Sequence, residues 1–79
     1  MSHKYINHSE LGFIAWRRTD LVAHSDVAAT MLQHRGNILS AGFVHFATGK
    51  PVCYGESFSL RIKSREGDST EYTKQLGIA

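Results

Sequence analysis

From Ser57 to Ser64 the chain alternates: Phe58, Leu60 and Ile62 fall on one side at period two, and Ser57, Ser59, Arg61 and Lys63 on the other. A strand with one buried and one solvated face has this pattern. It points to an antiparallel sheet, because parallel strands covered on both sides read as continuous apolar runs. Gly12 to Arg17 is aromatic and apolar enough for a first strand. Arg18-Thr19-Asp20 then reads as a turn and Leu21-Val22-Ala23 as a short returning strand. Ile38 to Ala47 and Val52 to Lys63 are expected as the third and fourth strands, joined through Thr48-Gly49-Lys50-Pro51. A two-residue loop at Gly49-Lys50 would need the closing amide of residue 51, which proline lacks, so a four-residue or bulged connection is expected. Residues 1 to 9 are polar around Tyr5-Ile6 and read as a mobile N-terminal segment, with Tyr5-Ile6 adding a short strand or lying over the core.

Two stretches change period from two to that of a helix. Val27, Ala28, Met31 and Leu32 share one helical face, which predicts a helix over Asp26–Arg35. Ser25 can accept from the free amides of its first turn, Asp26 suits the dipole there, His34 and Arg35 suit the last turn, and Gly36 can end it. A second helix is expected over Ser69–Leu76. Asp68 with Glu71 resembles a capping box, Tyr72 and Leu76 form an i, i+4 pair, and Gly77 closes the helix with Ile78 folding back. The element order is β-β-α-β-β-α, which predicts an α+β two-layer sandwich: a four-stranded antiparallel sheet with two helices on one face.

Length and composition narrow the class. With 79 residues the chain is expected to be one small domain, burying only roughly 60 to 65% of its unfolded surface, so that pairing with a second copy would add stability. A hydrophobic content of 42% argues against disorder. One cysteine, Cys53, forms no internal disulfide and favours a reducing compartment. No apolar run approaches the ~18 residues of a membrane span and the N-terminus lacks an apolar signal core, so a cytoplasmic location is expected. The net charge of +2 is mild for a nucleic-acid-binding domain.

Candidate chemistry is sparse. Cys53 and His45 lie on consecutive strands and are the minimum for a thiolate nucleophile, but a four-residue loop places them on opposite faces and only a three-residue loop Gly49 to Pro51 on one. The plainer reading is a small buried thiol and a strand histidine. His3, His8, His24, His34 and His45 show no metal-ligand spacing, and no metal or cofactor is expected. The glycines make no phosphate-binding fingerprint. Among the carboxylates only Glu56 stands apart, in an otherwise apolar strand, where a bulge near Gly55 would let it out.

Trp16-Arg17-Arg18 is the strongest surface candidate, set against the plainer reading of a core tryptophan beside solvated charge. Were the first and fourth strands neighbours, Arg17, Arg61, Lys63 and Arg65 would form one basic patch. The sequence therefore leads to a non-enzymatic protein-interaction module, with self-association among its expected partners. The alternative is a weak nucleic-acid-binding domain using Arg17, Arg61, Lys63 and Arg65 on a sheet face.

Overall fold

A computed structural model of the chain describes residues 2–32 and 35–77. Four strands, β1 (Ser2–His8), β2 (Gly12–Arg17), β3 (Ile38–Ala47) and β4 (Lys50–Tyr54), form an antiparallel sheet in the order β2-β1-β3-β4. Two helices, α1 (His24–Thr30) and α2 (Asp68–Gln75), and a short ribbon of β5 (Glu56–Ser57) and β6 (Ile62–Lys63) complete an α+β fold close to the expected order.

The N-terminal segment, expected to be mobile apart from a short strand at Tyr5-Ile6, forms an inner strand over Ser2–His8. β1 pairs with β2 from His3↔Arg17 to His8↔Gly12 and with β3 from Ser2↔His45 to His8↔Ile38. Successive strand residues point to opposite faces, and here both Tyr5 and Ile6 are completely buried. Each face of the sheet therefore has its own core, and the two helices are divided between them rather than sharing one. Tyr5, Phe13 and Val44 pack with Tyr72 of α2; Ile6 and Ala41 pack with Met31 and with Val27 and Ala28 of α1. Leu60 and Ile62, flanking and within the ribbon, join the second core.

Leu21-Val22-Ala23 is not a returning strand. The Val22 carbonyl accepts 2.9 Å hydrogen bonds from Lys4 Nζ and Trp16 Nε1, so side chains satisfy this backbone instead of a ladder. α1 begins two residues earlier than expected, and the Asp26 carboxylate accepts from the Ala23 amide at 2.9 Å. It also ends early. The Thr30 hydroxyl donates to the Val27 carbonyl at 2.7 Å, a local alternative to continuing the helix. The helix-end role assigned to His34 and the fold-back of Ile78 lie outside the described residues.

The hairpin between β3 and β4 closes with a two-residue loop, not the four-residue or bulged connection expected. Thr48 (φ +52) and Gly49 (φ +80) form the two-residue loop, with Ala47 paired to Lys50. Positive φ at both positions is the type I′ arrangement that suits hairpin twist. The closing amide belongs to Lys50, and Pro51 falls at a position whose backbone faces away from β3, where no N–H is needed.

The longest expected strand, Val52 to Lys63, is broken at Gly55 (φ +74), where the chain turns over Gly42. A Cβ on Gly42 would sit 2.5 Å from the Tyr54 carbonyl oxygen, which accounts for glycine there. The alternation of Ser57 to Ser64 is correspondingly undone in part. Ser57 is 1% exposed, with its hydroxyl accepting from the Leu60 amide, while Phe58 is 82% exposed. Residues 58–61 form the ribbon's turn, with Arg61 at φ +56, so Leu60 and Ile62 keep the apolar side and Phe58 loses it. Glu56 is half-buried opposite Lys63.

Candidate nucleic-acid interface

α1 and the ribbon cover the Ile6–Ala41 end of their face, and His24 at the start of α1 reaches as far as the Phe43 ring. At the other end the register brings together side chains from three strands. Phe43 stands opposite Tyr54 and His45 opposite Val52, and these point to the same side as Lys4 and Ser2. Tyr54 and Val52 are each 37% exposed. The rings form a row: His45 to Tyr54 at 5.5 Å and Tyr54 to Phe43 at 6.0 Å between centroids. The guanidinium of Arg18 lies 4.2 Å from the Phe43 centroid, and its Nη1 reaches Ser2 Oγ at 3.4 Å. Lys50 continues the register of Val52 and Tyr54 at the hairpin end. No carboxylate occupies a strand position of this half-face.

Arginine over an aromatic ring, beside further part-exposed rings, has the chemistry needed to stack a base and pair a phosphate. Each stacked base contributes about 1–3 kcal/mol on such platforms.

The residues singled out from the sequence are dispersed. Arg17, at the end of the edge strand β2, pairs with Asp20 at 3.2 Å and points to the α2 side. Arg61 lies in the ribbon's turn and Lys63 on β6, both exposed. Arg65 precedes α2, with its amide donating to Asp68 Oδ2 at 2.9 Å. Because Arg61 and Lys63 belong to the separate β5–β6 ribbon and Arg65 to the stretch before α2, no neighbouring strands unite Arg17 with the other three. Of the Arg17-Arg18 pair, Arg18 is the one that reaches the aromatic row. Finding that row from sequence required the Thr48-Gly49 closure, which alone sets Phe43 against Tyr54 and His45 against Val52.

That closure also separates His45 from Cys53. Cys53 is paired with Val44 and points to the α2 face, away from His45. Burial, reinforced by nearby Asp68, pushes its thiol up to about 11. It lies in a polar pocket of the core below α2. There the Tyr5 hydroxyl donates to Asp68 Oδ2 at 2.5 Å, and the Cys53 amide donates to Ser69 Oγ at 2.9 Å. Burial, followed by that Asp68 bond, drives the Tyr5 phenol well above its ordinary range. Both groups are held protonated at neutral pH, so the pocket has the character of a buried structural network.

On the opposite face His24 is buried between Trp16 and Phe43, with ring centroids at 5.5 and 5.7 Å. Its Nε2 is 2.7 Å from the Gly42 carbonyl and donates to it. Trp16 itself packs in that core, in line with the plainer reading of the motif.

Among the described residues no group of three or more His, Cys, Asp or Glu side chains could hold a metal ion, and no helix is long and apolar enough to cross a membrane. Comparison with protein-family models, with curated proteins and with solved structures finds no match to this chain.

Proposed function

We propose that the protein is a non-enzymatic binding module that takes single-stranded nucleic acid on the open half of its α1 face. The observation that carries this reading is the row His45–Tyr54–Phe43 with the Arg18 guanidinium 4.2 Å from the last ring. Aromatic planes accept any base, and the adjoining Arg18 and Lys50 supply charge for the backbone. A protein surface rich in aromatic rings and arginine also suits a protein partner. Charge argues against a second copy of the same face, since a two-fold contact would bring together two copies of one surface that carries Arg18 and Lys50 and no strand carboxylate to offset them.

Edge-to-edge pairing is a poor route to self-association as well. On β4, Pro51 has no N–H and the amide of Cys53 is taken by Ser69.

Fluorescence anisotropy with short labelled single strands, and with a duplex of the same sequence, tests the proposal at low and at high salt. Single strands should bind more tightly than duplex, weaken with salt, and lose affinity on Tyr54→Ala. If neither form binds at low salt, the nucleic-acid reading fails and a protein partner becomes the better account of the same surface.

A further inference from the structure

We infer that the aromatic half-face takes pyrimidine-rich single strands in preference to purine-rich ones, an inference that rests on the nucleic-acid reading above. The spacing and tilt of the rings carry it. His45 and Tyr54 are 5.5 Å apart between centroids with their planes at 55°, and Tyr54 and Phe43 are 6.0 Å apart with their planes at 35°. The Arg18 guanidinium lies over the Phe43 ring at 4.2 Å from its centroid. The third surface on offer to a base is therefore the guanidinium, which stacks on bases as a ring does.

Bases stacked within one strand lie ~3.4 Å apart and parallel to one another. Neighbours in this row are neither that close nor parallel. A base resting on His45 and a base resting on Tyr54 are inclined to each other as the rings are, so they cannot stack together. A strand that occupies more than one position must open its own stack at each step, splaying its bases along the sheet. A strand that keeps its stack can place only an end base on a single ring.

The cost of opening depends on the base. Adjacent purines overlap over a large π surface and resist separation, whereas pyrimidines stack weakly and leave the backbone free to extend. Contact with one isolated ring works the other way, since a purine covers more of it. Purines should therefore match or exceed pyrimidines as single nucleotides and fall behind them in a strand. Phosphate contacts through Arg18 and Lys50 are the same for every sequence and leave this order unchanged.

Fluorescence anisotropy with oligothymidylate, oligocytidylate and oligoadenylate of equal length, and NMR titration with the matching mononucleotides, test the inference. Both pyrimidine strands should bind about five- to tenfold more tightly than oligoadenylate, with the same slope of log affinity against log salt. Among the mononucleotides that order should vanish or reverse. Tyr54→Ala removes the middle ring, so it should weaken every strand and also shrink the ratio between pyrimidine and purine. Equal or tighter binding of oligoadenylate overturns the inference and leaves the single-strand reading in place. So does a pyrimidine preference already present in mononucleotides, which would mean that base edges are read. An unchanged ratio in Tyr54→Ala overturns it as well, by placing the preference elsewhere. If no strand binds at low salt, the nucleic-acid reading itself falls and takes the inference with it.

Discussion

The side-chain amide of Gln75 closes on the backbone of Phe13 as a second strand would. Its Oε1 accepts from the Phe13 amide at 2.7 Å and its Nε2 donates to the Phe13 carbonyl at 2.9 Å. Phe13 lies on the edge strand β2, and Gln75 is the last residue of α2. At the other end of the same helix, Ser69 accepts from the Cys53 amide on the opposite edge strand β4. One helix thus crosses a face of the sheet and blunts both edges, which would otherwise offer free backbone groups to another chain.

Gln75→Ala together with Ser69→Ala should therefore promote self-association. Sedimentation velocity across a concentration series should show larger species for the double variant than for the parent. Loss of the two Gln75 bonds should also cost about 1–3 kcal/mol in denaturant unfolding. Identical sedimentation of the two proteins would remove the edge-guarding role.

Arg18→Ala should reduce the slope of log affinity against log salt for single-stranded oligonucleotide by about 1, the signature of one lost phosphate contact. Arg61→Ala with Lys63→Ala should change that slope little, because the ribbon's turn stands apart from the aromatic row. An inverted result would relocate the site to the ribbon.

His24 makes stability depend on pH. Desolvation lowers its pKa, with Lys4 adding to the effect and the Gly42 carbonyl opposing it. The neutral ring is the form the fold accepts, so between the lowered folded value and the unfolded value near about 6.5 the unfolded chain binds more protons. Stability should fall as pH drops through that window and level off below it. Urea midpoints measured from about pH 7.5 down to about pH 5 should show this slope, and His24→Gln should flatten it.

Cys53 should be a sluggish thiol. A pKa raised from 9.0 to about 11 leaves ~100-fold less thiolate at neutral pH. Alkylation by iodoacetamide should be slow in the folded protein and fast in urea. Rapid labelling at neutral pH would revive a nucleophilic role.

The ribbon can be tested by exchanging its two extremes. Phe58→Ser should change stability by no more than about 0.5 kcal/mol, since the ring is 82% exposed. Ser57→Phe should cost roughly 1–3 kcal/mol by overpacking and by removing the acceptor of the Leu60 amide. A simple continuous strand would give the reverse ranking.

Much of the framework was legible because it rests on local signals. The apolar runs of Gly12 to Arg17 and Ile38 to Ala47, the glycine after α2, and the helical spacing of Val27, Ala28 and Met31 all found their elements. Local reading failed where a residue's role depends on a distant partner. Asp68 looks like a cap, yet its carboxylate receives the Tyr5 hydroxyl across the core as well as the nearby Arg65 amide. Val22 looks like strand, yet its carbonyl is claimed by Lys4 and Trp16. Pro51 looks like an obstacle to a tight hairpin, yet moving the loop back one residue turns it into protection for an edge.

The candidate site shows the same division more sharply. Arg18 stood within the motif that sequence singled out, but the rings that accompany it come from β3 and β4, whose mutual register depends on one turn. Basic residues can be counted in a sequence; whether they share a surface depends on strand order.

Periodicity and turn chemistry therefore determined, from the sequence alone, that this chain makes a four-stranded antiparallel sheet with two helices, since each such signal lies within a few residues. Only the tertiary structure decided that residues 2–8 fill the middle of the sheet, that the helices take opposite faces, and that half of one face stays open. Those outcomes follow from burying Tyr5 and Ile6 on opposite sides of one strand, which obliges each side to find its own cover.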